Sequence, residues 1–229
     1  APALITGNTI VLKPAATTPL TTLELGRLAA DIFPRGVFNI VADNNDLGAR
    51  LAGHPDIAKV SFTGSTNTGK AVLRSAADDM KRVTLELGGN DPAIVLADAN
   101  VEAAARGLAA TAFLNAGQVC AAPKRLYVAD QIYDDFRERF VTATREIRMG
   151  AGDEDGVTLG PVQNRMQFDK VRGMIEEAAA SGTVLTGGHV ANRPGFFIEP
   201  TIIADLDDQA PLVTDEQFGP VVPLLRFTD

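Results

Sequence analysis

The sequence predicts an α/β protein built on parallel sheets. Short β-branched or apolar runs alternate with segments of helical periodicity through residues 1–80, in the order β-α-β-α-β-α. The length of 229 residues allows one or two domains, and the composition of 45% hydrophobic and 22% charged residues is typical of a globular chain. These observations favour βαβ units over an all-helical or all-β fold.

Strands are predicted where a short apolar run is bounded by turn residues. The predicted strands are residues 9–12, 37–41, 57–62, 83–87, 93–96, 126–128, 184–186 and 221–227. Helices are predicted at 20–32, 44–52, 65–77, 100–115, 130–147 and 164–181. Thr18 is expected to cap the first helix, whose leucines form one apolar face before Pro34 ends it, and Asn44 or Asn45 to cap the second.

A turn of residues 88–92 separates two predicted strands and begins with a pair of glycines. We place the domain boundary here, with one domain at residues 1–87 and the other at residues 88–229. The chain opens without an initiator Met, almost directly on a strand pattern, and closes on another. We therefore expect it to be a fragment at both ends.

Charge and composition exclude several classes of protein. The 21 basic and 29 acidic residues give a net charge of −8, which disfavours binding to nucleic acid or to an anionic membrane. The apolar runs are shorter than the roughly 20 residues of a membrane span, and no signal peptide opens the chain, so a cytoplasmic protein is expected. A single cysteine and two distant histidines argue against a disulfide framework and a metal site.

Cys120 is the first candidate for chemistry, because it lies in a glycine-containing loop between a predicted helix and a predicted strand. Its small neighbours leave access for a substrate, and a thiolate is a soft nucleophile. The alternative is that Cys120 is a small buried hydrophobic residue.

Glu86 is the second candidate, because it lies at the end of the apolar strand 83–87. Desolvation there is expected to make its carboxylate a stronger general base. Alternation along the strand offers another interpretation, in which Thr84 and Glu86 simply form its polar face.

Three further segments have a functional and a structural interpretation. Residues 61–70 place glycines and hydroxyls between a strand and a helix start, which is either an anion site or a structural turn. Lys13 follows the first strand, at the carboxyl end where open α/β sheets bind ligands. The alternative interpretation is that Lys13 is a surface lysine. Residues 215–221 combine carboxylates, an aromatic ring and a Gly-Pro turn. They are either part of a functional site or a solvated acidic turn before a strand.

Together these segments resemble the aldehyde dehydrogenase superfamily. The resemblance rests on ordered motifs along nearly the whole chain: Gly7-Asn8-Thr9-Ile10-Val11-Leu12-Lys13-Pro14, Phe62-Thr63-Gly64-Ser65-Thr66, Leu85-Glu86-Leu87-Gly88-Gly89, Gly117-Gln118-Val119-Cys120 and Glu216-Gln217-Phe218-Gly219-Pro220. It implies part of a Rossmann-like, parallel-sheet NAD(P)-binding domain at 1–87 and part of an α/β catalytic domain at 88–229. For the intact protein it implies an aldehyde substrate and a homo-oligomer.

The resemblance also implies residue roles. Cys120 would attack the aldehyde and pass through a thiohemiacetal to a thioester, and Glu86 would activate the water that hydrolyses that thioester. Lys13 would contact the adenosine ribose, and Glu216 the nicotinamide ribose, with Phe218 packed nearby. Gly64 and Ser65 would lie against the pyrophosphate, and Leu87 and Gly88 would line the nicotinamide.

The sequence departs from the family pattern in two ways. Many relatives carry a Glu two residues after the Lys-Pro pair, whereas Lys13-Pro14-Ala15-Ala16 offers no carboxylate, so either NAD or NADP is expected. The family's Pro-Trp-Asn oxyanion segment is absent, and losing one such donor costs about 2.7–4 kcal/mol, so this chain is expected to be impaired. The alternatives are a coenzyme-A-acylating relative and an inactive fragment or binding module.

Overall fold

The structure is a computed structural model that describes residues 1–228. It is a mixed α/β protein with parallel sheets, which confirms the predicted fold class. The chain divides into two compact units, Ala1–Leu87 and a second unit that begins at Gly88. No helix among the described residues is long and apolar enough to cross a membrane.

The first unit consists of two parallel strand pairs with helices between the strands. Strand β1 (Ile10–Leu12) pairs with β2 (Phe38–Ile40), and β3 (Lys59–Gly64) pairs with β4 (Arg82–Leu87). The helices are α1 (Pro2–Ile5), α2 (Leu20–Ala29), α3 (Leu47–Gly53) and α4 (Thr66–Ala77). The carboxyl ends of β3 and β4 coincide, because Gly64 is in register with Leu87.

Both predicted caps in the first unit are wrong. Helix α2 has Pro19 at its N-cap and no side-chain cap, so Thr18 does not take that role. The apolar side chains expected to form one face of this helix are exposed by 40–77%: Leu20, Leu23, Leu25 and Leu28. Helix α3 begins after Asp46, and neither Asn44 nor Asn45 caps it, because Asp43 Oδ2 accepts the backbone N–H of Leu47 at 2.9 Å.

The Asp43 carboxylate has a second partner in Lys13. Lys13 Nζ lies 3.1 Å from Asp43 Oδ1 and donates to the carbonyl of Pro14 at 3.0 Å. The pKa of the Asp43 carboxyl is lowered, chiefly by the Leu47 N–H and further by Lys13, against the opposing effect of desolvation. The pair joins the segments that follow β1 and β2.

The second unit is built on a five-stranded sheet in the order β5-β6-β9-β8-β7, in which only β7 is antiparallel to its neighbour. Its strands are β5 (Pro92–Val95), β6 (Arg125–Ala129), β7 (Thr183–Thr186), β8 (Thr201–Ala204) and β9 (Val221–Phe227). Its helices are α5 (Val101–Ala112), α6 (Tyr133–Arg145), α7 (Arg165–Ser181) and α8 (Pro211–Thr214). Asn100 and Asn164 cap α5 and α7.

An aromatic cluster anchors the C-terminal end of α5. Phe113 stacks on Phe140 of α6 with ring centroids 6.4 Å apart, and Phe136 stacks on Phe140 at 5.4 Å. All three rings are buried, and aromatic pairs of this kind add about 0.5–1.5 kcal/mol beyond their buried area. The chain therefore leaves α5 from a fixed point, immediately before the loop that carries Cys120.

We expect Asp43→Asn to lower the melting temperature at neutral pH, because the charged carboxylate accepts the Leu47 N–H and pairs with Lys13. A depressed folded-state pKa stabilises the fold above the ordinary Asp pKa, and this contribution is lost as the pH falls through the folded-state value. Scanning calorimetry across acidic pH should therefore show parent and variant converging. Asp46→Asn is the control, since the Asp46 side chain makes no cap hydrogen bond. An equal gap between parent and Asp43→Asn at every pH would contradict this assignment.

Candidate functional site

Cys120 lies in the loop between a 3₁₀ turn (Leu114–Gly117) and strand β6. Its side chain is exposed, so the interpretation of Cys120 as a small buried hydrophobic residue is wrong. An exposed thiol in a loop between fixed elements can reach a small substrate.

The backbone just before Cys120 is strained. Asn115, Ala116 and Gly117 have positive φ angles of 51°, 55° and 70°. Glycine adopts this region freely, whereas a non-glycine residue there costs on the order of 1–3 kcal/mol. Glycine is also required sterically, because a Cβ at Gly117 would collide with the backbone carbonyl of Gly219.

Side-chain hydrogen bonds hold this strained turn in place. Asn115 Nδ2 donates to the carbonyl of Gln118 at 3.1 Å, and Gln118 Nε2 donates to the carbonyl of Asn115 at 3.0 Å. Gln118 Oε1 also accepts the backbone N–H of Gln163 at 2.9 Å. Strain that is supported in this way beside an exposed cysteine is typical of a functional site.

Lys124 is buried on the inner side of the cysteine loop, with only 2% of its side chain exposed. Its Nζ donates to the carbonyls of Val119 at 2.9 Å, Cys120 at 2.7 Å and Ala122 at 3.4 Å. Glu216 Oε1 lies 3.4 Å from the same nitrogen. The ammonium thus joins the cysteine loop to the Glu216 carboxylate.

Glu216 also contacts the glycine turn at the start of the second unit. Its Oε1 accepts the backbone N–H of Gly89 at 3.2 Å, and a Cβ at Gly88 would collide with the same carboxylate. The Glu216 side chain is 27% exposed and its carbonyl accepts from Lys170 Nζ at 2.6 Å. The structure therefore brings Gly88, Glu216 and the Cys120 loop together through Lys124.

The two residues after Glu216 are held by amide side chains. Gln217 is 1% exposed, and its Nε2 donates to the carbonyls of Lys124 and Val221, both at 2.7 Å. Phe218 is half-buried with φ of 52°, and Gln167 Nε2 donates to its carbonyl at 3.0 Å. The segment is a fixed part of the site rather than a solvated acidic turn.

Within the first unit, the candidate residues Gly64, Ser65, Glu86 and Leu87 lie at the shared carboxyl end of β3 and β4. Ser65 caps α4 by accepting the backbone N–H of Thr68 at 3.2 Å, and both Gly64 and Ser65 are exposed. Glu86 is exposed as well, so the expected desolvation of its carboxylate is wrong, because Glu86 lies on the open face of β4.

Lys13 has a carboxylate partner that its neighbours in sequence do not supply. Asp43, which follows β2, lies 3.1 Å from Lys13 Nζ, and its side chain is 1% exposed. The segment Lys13-Pro14-Ala15-Ala16 offers no carboxylate, and the fold supplies one from Asp43 instead. Because β1 and β2 are parallel, the residues after their carboxyl ends meet at one edge.

The sequence analysis did not identify Lys124 and Asp43 as candidate site residues, although the sequence around each contains a pattern that indicates its position. Lys124, Leu126 and Val128 are alternate residues, and all are at most 2% exposed, so a lysine occupies the inward face of the chain entering β6. Asp43 follows a strand that runs parallel to the one before Lys13. Residues 1–228 contain no group of three or more His, Cys, Asp or Glu side chains that would hold a metal ion.

Comparisons with known proteins give the family. The aldehyde dehydrogenase family model matches residues 1–229. Over 231 residues the chain is 43% identical to succinate-semialdehyde dehydrogenase [NADP(+)] of Escherichia coli strain K12, an alignment that covers 100% of this chain and 48% of that protein. The crystal structure of an E. coli NADP-dependent enzyme superposes with a TM-score of 0.96 at 42% identity, covering 100% of this chain and 48% of that chain.

A variant of an aldehyde dehydrogenase from Pseudomonas syringae, solved with NAD+ and octanal, superposes with a TM-score of 0.95 at 34% identity, again over 100% of this chain and 48% of that one. The chain thus spans about half the length of the relatives it matches. Because the family model matches it from end to end, the chain belongs to the aldehyde dehydrogenase family.

Proposed function

We propose that this chain carries the nucleophile and part of the cofactor site of an NAD(P)-dependent enzyme that oxidises an aldehyde to a carboxylic acid. The observation that carries the proposal is the exposed Cys120 thiol on a strained loop that the buried Lys124 ammonium holds. Family membership supports the reaction type, and the relatives include proteins named for NADP or solved with NAD+. A cytoplasmic homo-oligomer stays a prediction from the sequence.

The residues of this chain fit a dinucleotide. The exposed Gly64 and Ser65 begin helix α4, where backbone N–H groups favour an anion such as a pyrophosphate. Lys13 would contact the adenosine ribose, and Glu216 would accept a hydrogen bond from the nicotinamide ribose. Leu87, Gly88 and Phe218 would border the nicotinamide. When bound, the cofactor supplies the acceptor for the hydride.

Cys120 would act through its sulfur atom. The Sγ thiolate attacks the aldehyde carbon and forms a carbon–sulfur bond, and loss of a hydride from that carbon leaves a thioester on Cys120. Glu86 takes a proton from a water molecule as that water attacks the thioester carbon. Cleavage of the carbon–sulfur bond releases the carboxylic acid and restores the Cys120 thiolate, and Glu86 returns its proton to solvent.

The purified chain, and a version extended to the length of its relatives, would be assayed for aldehyde-dependent formation of NADH or NADPH. We expect Cys120→Ala to abolish the activity, because the bond-forming atom is lost. Glu86→Gln should retain a burst of about one equivalent but lower the steady-state rate by roughly 10²–10⁴-fold, because the thioester then accumulates. Unchanged turnover in Cys120→Ala would overturn the proposal.

Two other outcomes have a defined meaning. Product that forms only when coenzyme A is added would identify a coenzyme-A-acylating relative and remove the role of Glu86. Absence of activity in the extended version with both cofactors and a panel of aldehydes would favour a binding module.

The pair of Lys13 and Asp43 predicts a change in cofactor preference. We expect Asp43→Ser to raise the affinity for NADP relative to NAD by roughly tenfold, because it removes a negative charge facing a 2′-phosphate and frees the Lys13 ammonium. Calorimetric titration of the extended protein with each cofactor measures the ratio. Asp46→Ser, which removes a nearby exposed carboxylate, should leave it unchanged. An unchanged ratio in Asp43→Ser would show that the pair does not face the 2′ position.

A further inference from the structure

We propose that Lys124 is a positioning residue that sets the orientation of Cys120 and couples it to Glu216. The proposal rests on the proposed function in one respect, which is that Cys120 is the nucleophile. It concerns side chains of the second unit alone.

The burial of the Lys124 charge needs an explanation. Removing an ammonium from water is unfavourable, and the cost is offset only if good acceptors replace the water. An apolar side chain of similar length would fill the same space without that cost. Three carbonyls and a carboxylate surround Nζ instead, so the position is built around a positive charge.

The choice of carbonyls constrains Cys120 itself. The Val119 carbonyl belongs to the peptide plane before the Cys120 Cα, and the Cys120 carbonyl belongs to the plane after it. Because a residue has only two soft backbone dihedrals, fixing both planes fixes φ and ψ of Cys120. The buried ammonium holds both carbonyls, at 2.9 and 2.7 Å, while Cys120 itself is exposed.

Glu216 completes the arrangement from the opposite direction. Its Oε1 lies 3.4 Å from Lys124 Nζ and accepts the Gly89 N–H, while the neighbouring Gln217 donates to the Lys124 carbonyl at 2.7 Å. Residues 216 and 217 thus hold Lys124 by its side chain and its main chain together. A change in the Glu216 charge should therefore be transmitted to the backbone around Cys120.

The single cysteine of the 229-residue chain allows a direct test. Selective ¹³C-cysteine labelling gives one Cα and one Cβ resonance, whose positions report φ and ψ of Cys120. We expect Lys124→Met to shift or split both resonances while the circular dichroism stays that of the parent. Lys59→Met is the matched control, because Lys59 is an exposed lysine of strand β3 in the first unit, and it should leave both resonances at the parent positions.

Glu216→Gln tests the coupling and remains available if Lys124→Met does not fold. It should move the same resonances by a smaller amount, and it should have no further effect when Lys124→Met is already present. Cysteine resonances that stay at the parent positions in Lys124→Met, or in Glu216→Gln where Lys124→Met is unfolded, would overturn the proposal. Additive shifts in the double variant would overturn the coupling.

A kinetic experiment separates this proposal from the proposed function. In the extended enzyme we expect Lys124→Met to lower kcat by roughly 10²-fold, because a small misplacement of a reacting group has an effect of that size, with little change in the KM for the aldehyde. Shifted resonances in a protein whose parent is inactive would leave the positioning role standing and reject the proposed function. Unshifted cysteine resonances in Lys124→Met, when the parent enzyme is active, would reject the positioning role and leave the proposed function standing. A kcat of Lys124→Met equal to that of the parent would have the same meaning.

Discussion

The need to solvate the buried ammonium of Lys124 shapes the candidate site of the second unit. A positive charge removed from water requires oxygen acceptors on several sides, and the nearest are the backbone carbonyls of its own loop. Gathering these carbonyls folds the loop around the ammonium, while Cys120 itself is exposed. The carboxylate that completes the shell comes from Glu216, far along the chain.

The turn before Cys120 depends on the chain segment that carries Glu216 and Gly219. Left-handed backbone at Asn115 and Ala116 is unfavourable by itself, and it persists because the surroundings specify it. Gly117 lies against the carbonyl of Gly219, in the segment that also carries Glu216 and supplies a buried amide to Lys124. One stretch of chain thus supports both ends of the cysteine loop.

The first unit combines a lysine and a carboxylate in a more open setting. Lys13 retains 18% exposure, and its partner Asp43 also begins a helix by accepting the Leu47 N–H. Asp43 therefore both stabilises the start of α3 and pairs with the charge of Lys13. The parallel pairing of β1 and β2 accounts for their meeting, because it brings the segments after both carboxyl ends to one edge.

The sequence alone was enough for the α/β class, most strands and the long helices, because apolar periodicity is a local property. It also located the Cys120 loop and the polar turn at Glu216 through residue types and motifs. Caps were less predictable. Asn100, Asn164 and Ser65 are the first residues of predicted helices and prove to be their caps, whereas Thr18 is not a cap and Asp43 accepts from Leu47, four residues later. Strand β8 and helices α1 and α8 were not predicted, since short elements carry too little periodicity.

Only the tertiary structure decided which charges meet. Lys124 is buried because the cysteine loop, the start of β6 and Glu216 lie together in the fold. Residues 124 and 216 are far apart in sequence, so no local sequence pattern predicts their contact. The exposure of Glu86 and the pairing of Lys13 with Asp43 are likewise set by packing. The sequence determined the elements and the candidate site residues, because these follow from local periodicity and residue chemistry. The fold determined their environment, because electrostatics depends on neighbours brought together from distant parts of the chain.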